Sequence, residues 1–424
     1  MINMQSVLKK EEIADTQLAK LKPLVNYLYN SSPEYRKKMD SIGVRPEHLV
    51  KLEDIVRFPF TEKQELRDFY PYRLMVAPEE EIVRLHASSG TTGKKTVTFY
   101  TKQDLDIWTE MMARCMTMAG VTNRDRVQIT TGYGLWTAGS GFQAGAERIG
   151  ALVVPVGPMA MEQQLEFMID FGTTVLVSTS SYALLLGEQI AARGLKDKIK
   201  LRVGIVGSER WSDTMRSQIE KLLGIETFDI IGMTETYGPG TGLDCKHHYG
   251  IHYWADHLLF EIIDPVSGLP CQPGEEGELV ITTLSKQAMP VLRYRTRDIT
   301  AIIPEPCACG QPFPRIKRLI GRSDDMIKFR AVNIYPSQID HLLSTVSGFG
   351  SEYQIRLFRE QGRDVMVVRV EAEQGSVMSK EVLVKELQKQ FKTSINVTPN
   401  VEVVDYGSLP RSERKTKRVF DERE

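Results

Sequence analysis

The sequence predicts an α/β protein, with a large N-terminal α/β domain over residues 1–321 and a small C-terminal α+β domain over 322–424. Three observations predict it. The 424-residue chain is too long for one ordinary hydrophobic core. Short β-rich runs alternate with amphipathic stretches from about residue 125 to 235, the order that builds a mostly parallel sheet. Beyond Gly321 that alternation stops, and roughly a hundred residues of different texture follow, a normal domain size.

The elements can be taken in order. The runs 126–130, 151–156, 174–178, 201–206 and 227–231 are each rich in Val, Ile or Leu, whose side chains pack well on a pleated surface. In the C-terminal part, 354–358 and 365–371 read as strands in the same way. Pro336 suits the first turn of a helix, and 380–392 places Val384, Leu387 and Phe391 on one helical face.

Composition narrows the function classes. The chain is 42% hydrophobic and 26% charged, and no apolar run approaches the roughly 20 residues that span a bilayer. Residues 1–10 lack the pattern of a secretory signal, so a cytoplasmic protein without membrane partners is expected. A net charge of −1 provides no long-range field for nucleic acid. The basic cluster Arg411, Arg414, Lys415, Lys417 and Arg418 has no interleaved aromatics, which argues against a nucleic-acid module. Gly139, Gly141 and Ala144 formally fit a dinucleotide fingerprint, but the acid expected after the next strand is missing. Nothing in the sequence fixes the oligomeric state, and a homodimer stays open.

The run Ser88-Ser89-Gly90-Thr91-Thr92-Gly93-Lys94-Lys95-Thr96 has the chemistry of a polyphosphate cradle. Glycines let backbone N–H groups approach an anion, hydroxyls donate further hydrogen bonds, and lysine supplies charge. A Walker loop needs glycine where Ser88 stands and Ser or Thr after Lys94, so this loop is of another kind. It resembles the phosphate loop of the adenylate-forming superfamily. Four later segments resemble that superfamily's motifs in the same order. They are Asp229-Ile230-Ile231-Gly232-Met233-Thr234-Glu235; Arg293-Tyr294-Arg295-Thr296-Arg297-Asp298; Gly321-Arg322-Ser323-Asp324-Asp325-Met326-Ile327-Lys328; and Leu409-Pro410-Arg411-Ser412-Glu413-Arg414-Lys415. Gly132-Tyr133-Gly134-Leu135-Trp136, running to Gly145-Ala146-Glu147-Arg148, and Asn333-Ile334-Tyr335-Pro336 resemble the phenylacetate-CoA ligase branch.

The resemblance implies an ATP-dependent aryl acid CoA ligase that forms an acyl-adenylate, with coenzyme A as the thiol co-substrate. An adenylyltransferase of the deazaflavin-adenylating kind is the alternative, and dependence on coenzyme A separates the two. The resemblance assigns Lys415, Thr234 and Glu235 to catalysis, Glu235 also to Mg2+, and Asp324 to the hinge of a mobile C-terminal domain. It assigns Ser88 to Lys94, Ser208, Glu209, Asp229, Ile230, Gly232, Met233, Asp298, Arg322 and Lys328 to the nucleotide. Arg414 and Ala331 stand where the family usually has glycine, and Gln143-Ala144 where it often has His-Tyr. Tyr133, Trp136, Ala138, Gly139 and Phe142 mix aromatic and small residues suited to an aryl acid pocket.

Of five cysteines, Cys307 and Cys309 form a tight pair, and Cys245 lies near His247, His248 and His252. Three thiolates and one imidazole make a closed zinc site. Similarity to ligases with a comparable Cys-x-Cys-Gly segment favours Cys245, His252, Cys307 and Cys309, with His247 or His248 as substitutes for His252.

Overall fold

The computed structural model describes residues 9–88, 95–209, 211–324, 327–329, 332–410 and 418–423. Within these, no helix is long and apolar enough to cross a membrane. The chain divides into two compact units. The first comprises Met1–Ser178, Asp197–Ser208 and Glu226–Leu319; the second comprises Thr179–Lys196, Glu209–Ile225 and Ile320–Glu424.

The first unit begins with helices α1 (Ile13–Ser31), α2 (Pro33–Ser41) and α3 (Lys63–Asp68). Leu21, Leu24, Val25 and Leu28 recur at helical spacing on α1 and are buried in one hydrophobic cluster with Leu66 of α3. Ser32 caps α2 by accepting the Tyr35 N–H, and Pro33 occupies the first helical position. Strands β1 (Ile82–Ala87) and β2 (Val97–Thr101) pair antiparallel. Helix α4 (Lys102–Met118) starts at a reciprocal cap: the Asp104 N–H donates to Thr101 Oγ1 at 3.1 Å, and the Thr101 N–H donates to Asp104 Oδ2 at 3.0 Å.

Next come β3 (Arg126–Ile129), α5 (Thr137–Arg148), β4 (Leu152–Val154), α6 (Met161–Asp170), β5 (Val175–Thr179), β6 (Val203–Gly207), β7 (Glu226–Met233), β8 (Gly238–Asp244) and β9 (Ile251–Tyr253). Strands β10 (Leu258–Ile263), β11 (Gly277–Thr283) and β12 (Tyr294–Thr300) form an antiparallel meander, and β13 (Ile302–Ile303) and β14 (Arg315–Ile316) follow. Among the described residues, the main sheet has the order β4-β3-β5-β6-β7-β8-β9-β14-β13. Strands β4, β3 and β5 run parallel, as do β6 and β7. From β7 onward each pairing through β8, β9, β14 and β13 is antiparallel. The expected parallel strands are thus present, and an antiparallel half extends them. Gly238, Gly240 and Gly242 make β8 unlike a strand by propensity, yet a Cβ on Gly242 would lie 2.4 Å from the His252 carbonyl oxygen.

The second unit contains α7 (Ser180–Ala192), α8 (Asp213–Leu223), β15 (Gly321–Arg322), β16 (Ile327–Phe329) and β17 (Val332–Ile334). After these come α9 (Pro336–Thr345), β18 (Phe349–Glu360), β19 (Arg363–Ala372), α10 (Lys380–Gln390), β20 (Asn400–Val404) and β21 (Val419–Asp421). Strands β20, β19, β18 and β21 form one sheet in that order. On α10 the fully buried positions are Leu383 and Leu387, while Val384, expected on that face, is partly buried. The α-helix stops at Gln390, and Phe391–Ile395 continues as one π-helical turn that keeps Phe391 in the core.

Candidate functional site

The phosphate-loop segment is the connection between β1 and β2, and two bonds pin its neck. The Ser88 N–H donates to the Thr96 carbonyl at 2.8 Å, and the Thr96 N–H donates to Ser88 Oγ at 3.0 Å. Ser89, Gly90, Thr91, Thr92, Gly93 and Lys94 lie outside the described residues, as do Ala331, Arg414, Lys415 and Lys417.

Thr96 is buried, and its hydroxyl donates to Glu235 Oε1 at 3.3 Å, across 139 residues of sequence. The structure therefore brings together the two segments that the sequence linked only by order. Glu235 sits in the turn after β7 and is 8% exposed; Thr234 beside it is half-buried. Lys63 of α3 places Nζ 3.3 Å from Glu235 Oε1. Sequence reasoning missed Lys63, since no local pattern ties α3 to a turn so far along the chain. Gly232, in the same strand end, is obligatory for packing: a Cβ there would lie 2.1 Å from the Gly238 carbonyl oxygen.

The other nucleotide candidates are spread over several elements. Ile230 is buried in β7, and Met233, which ends that strand, is half-buried. The Asp229 N–H donates to Asp244 Oδ1 at 2.7 Å, and Asp229 Oδ2 lies 3.0 Å from Arg318 Nε. Asp298 lies on β12, half-buried, and its N–H donates to Thr296 Oγ1 at 3.0 Å. The three arginines of that motif pair elsewhere, Arg293 with Glu261, Arg295 with Glu278, and Arg297 with Glu62. Ser208 follows β6 with φ of 70°, a left-handed conformation rare for serine. In the second unit, the Glu209 carboxylate accepts the Ser181 N–H at 2.8 Å and the Ser181 hydroxyl. Arg322 grips Asp324 with two bonds, 2.7 and 2.8 Å, on a largely exposed pair, and Lys328 is exposed on β16.

Among the acid-pocket candidates, the Tyr133 ring lies where a Cβ on Gly139 would be, at 2.7 Å. Burial pushes the Tyr133 hydroxyl up to about 12, and it has no hydrogen-bond partner among the described residues. Trp136 is exposed, with Lys95 Nζ 5.2 Å from its ring centre, and Ala138 is partly buried against the core. Phe142 is 3% exposed and belongs to the central core. The glycines of the segment serve helix packing: a Cβ on Gly141 would sit 2.4 Å from Trp108, and one on Gly145 would sit 2.3 Å from Met112, both on α4.

A second constellation lies where β8, β9 and the β13–β14 connection meet. Cys245 follows β8, His252 is on β9, and Cys307 and Cys309 precede β14. Their four ligand atoms all lie within 4.8 Å of one another. Cys245 Sγ is 3.6 Å from Cys307 Sγ, and Cys309 Sγ is 3.3 Å from His252 Nε2. Tetrahedral zinc, with Zn–S bonds of about 2.3 Å, requires sulfur atoms about 3.8 Å apart, so the spacing fits. His252 Nδ1 lies 2.8 Å from the Phe313 carbonyl oxygen. A carbonyl only accepts, so Nδ1 carries the proton and the Nε2 lone pair faces the thiols. Burial also pulls His252 down to about 4, which keeps it neutral. Burial pushes the Cys245 thiol up, so a thiolate there calls for a cation. His248 instead faces Asp244 at 2.9 Å, and neither it nor exposed His247 joins the cluster. Cys115 is buried and Cys271 half-exposed, apart from the four.

Comparisons place this arrangement among known proteins. Residues 25–289 match the AMP-binding enzyme family, and 331–423 match the AMP-binding enzyme C-terminal domain. The chain is 41% identical to the phenylacetate-coenzyme A ligase of Pseudomonas putida, over 96% of this chain and 93% of that one. It is 39% identical to the one of Thermus thermophilus, over 98% and 97%. Among solved structures, it resembles 2-hydroxyisobutyryl-CoA ligase in the postadenylation state in complex with 2-HIB-AMP. There the TM-score is 0.89 at 27% identity, over 97% of this chain and 90% of that one.

Proposed function

This chain belongs to the AMP-binding enzyme family, and we infer from that premise that it is an ATP-dependent aryl acid CoA ligase. Phenylacetate or a related arylacetate is the acid. Its carboxylate oxygen attacks the α-phosphate of ATP, the bond to the β-phosphate oxygen breaks, and pyrophosphate leaves. The sulfur of coenzyme A then attacks the acyl carbon, its proton is lost, and AMP departs.

The observation that supports this reading is the junction of Thr96, at the neck of the phosphate loop, with the buried Glu235 carboxylate. Thr96 donates to Oε1, and Lys63 forms an ion pair with the same oxygen. One carboxylate plus substrate phosphates is the usual donor set for Mg2+, which shields phosphate charge when bound. The loop N–H groups and hydroxyls hold the phosphates in line for attack. Lys415 as the adenylation lysine, Asp298 at the ribose and Asp324 as hinge of a C-terminal domain over 322–424 belong to the same proposal. The deazaflavin-type adenylyltransferase alternative has no observation in its favour.

Incubated with ATP, Mg2+ and a panel of aryl, indolyl and aliphatic acids, the protein is expected to release pyrophosphate with arylacetates. Added coenzyme A converts the adenylate to thioester and AMP. A folded, ATP-binding protein that releases no pyrophosphate with any acid would overturn the proposal.

We assign Cys245, His252, Cys307 and Cys309 to structural zinc, on the spacing and tautomer described above. Purified protein should carry one zinc per chain, and Cys307→Ser should lose it and melt about 5 °C lower or more. Metal-free protein whose melting is indifferent to chelator would remove zinc from the site. All five cysteines are unpaired, which fits a reducing compartment such as the cytoplasm.

A further inference from the structure

Lys286 lies in the connection between β11 and β12, and no motif singles it out. It is 2% exposed, yet no carboxylate among the described residues reaches ion-pair distance of its ammonium. Nζ instead donates to Thr98 Oγ1 at 2.5 Å and to the Thr236 carbonyl, and stands 4.5 and 5.1 Å from the ring centres of Tyr100 and Tyr237. Burying an ammonium without a counter-ion is expensive, and cation–π contacts offset only part of that cost. A methionine would fill the same volume without that cost.

The position of the cation accounts for its presence. Thr96, Thr98 and Tyr100 alternate along β2 and its approach, so their side chains share one face. Each is tied to a successive residue of the turn after β7. The Thr96 hydroxyl bonds Glu235 Oε1 at 3.3 Å, and the Tyr100 hydroxyl bonds the Tyr237 carbonyl at 2.6 Å. Between these two ties, the ammonium of Lys286 links Thr98 to Thr236. The next two residues are fixed as well, because the Gln287 and Ala288 N–H groups donate to the Asp104 carboxylate at 2.7 and 2.9 Å. Through its two neighbours Lys286 is therefore tethered to the start of α4, and its ammonium joins the turn to β2 between the Thr96 and Tyr100 ties.

We propose that Lys286 is a positioning residue for adenylate formation, holding the Thr234–Glu235 turn in register with the strand that leaves the phosphate loop. The proposal rests on the ligase reading above. Burial pulls the ammonium down to about 7, while Asp104 and Glu235 pull the other way.

The test separates the two half-reactions in the full-length enzyme. Lys286→Met is expected to lower the kcat of acid-dependent ATP–pyrophosphate exchange about 100-fold, the cost of misplacing a catalytic group by about 1 Å. The KM for the acid, and thioester formation from supplied phenylacetyl-adenylate and coenzyme A, should each stay within about threefold. A merely structural role would depress both half-reactions together. Equal loss in both, or exchange within threefold of the parent, overturns the proposal. If Lys286→Met does not fold, Thr98→Val decides: it removes one acceptor and should slow exchange about tenfold, again sparing thioester formation. An unchanged exchange rate in Thr98→Val overturns the proposal equally. The parent enzyme is assayed alongside; if it exchanges pyrophosphate with no acid, the ligase reading fails first and the Lys286 role falls with it.

Discussion

Lys415→Ala enzyme is expected to form acyl-adenylate about 1,000-fold more slowly than the parent while turning supplied phenylacetyl-adenylate into thioester at nearly the parental rate. The asymmetry follows from where charge develops. In the first step two anions, the carboxylate and the α-phosphate, are brought together, and a lysine placed at the reacting oxygens lowers that repulsion. In the second step a thiol attacks an acyl carbon whose leaving group is AMP, and the charge no longer builds at the same oxygens. Lys417→Ala should have a much smaller effect, since it is two residues removed from the position that matches the family lysine. Loss of both half-reactions to the same degree in Lys415→Ala would strip Lys415 of its role, as would a larger loss in Lys417→Ala.

Glu235→Gln should lower adenylation by about 100- to 1,000-fold and raise the Mg2+ concentration needed for half-maximal rate, with little change in melting temperature. Glutamine keeps the shape and still accepts the Thr96 hydroxyl, so packing is preserved. The ion pair with Lys63 is lost, but Lys63 is 38% exposed, and such pairs contribute about 1 kcal/mol or less. Charge is then the one property that differs. A variant with parental rate and parental Mg2+ dependence would show that the cation is held elsewhere.

The parts of the fold and site legible in sequence were those with local signatures. Val- and Ile-rich runs marked β3 to β7, and Pro336 marked the start of α9. The glycine-hydroxyl loop stood out because its residue types carry phosphate chemistry, whereas Glu235 was singled out only by the resemblance of its segment to a family motif. The antiparallel half of the main sheet was not legible, because β8 is built around glycines demanded by neighbouring backbone rather than by strand propensity. Lys63 and Lys286 were missed for a related reason. Each acquires its role from a partner about 50 or more residues away, and a lone lysine in sequence looks like solvated surface. The expected face of α10 is the one that packs, with Leu387 and Phe391 buried and Val384 partly buried against the same core, and Leu383 joins it as a further buried position.

The strand order also constrains how the first unit is assembled as it leaves the ribosome. Apart from the β3–β4 exchange at one edge and β13–β14 at the other, the main sheet is laid down in the order of synthesis. Each new strand finds its neighbour already emerged, so growth can proceed from the β3 side without waiting for distant sequence. Cys245 and His252 arrive late, and Cys307 and Cys309 arrive last of all. A metal held by these four side chains, as proposed above, would therefore close this sheet rather than nucleate it, and a nascent chain halted before residue 309 would carry the whole parallel half with its far edge unfastened.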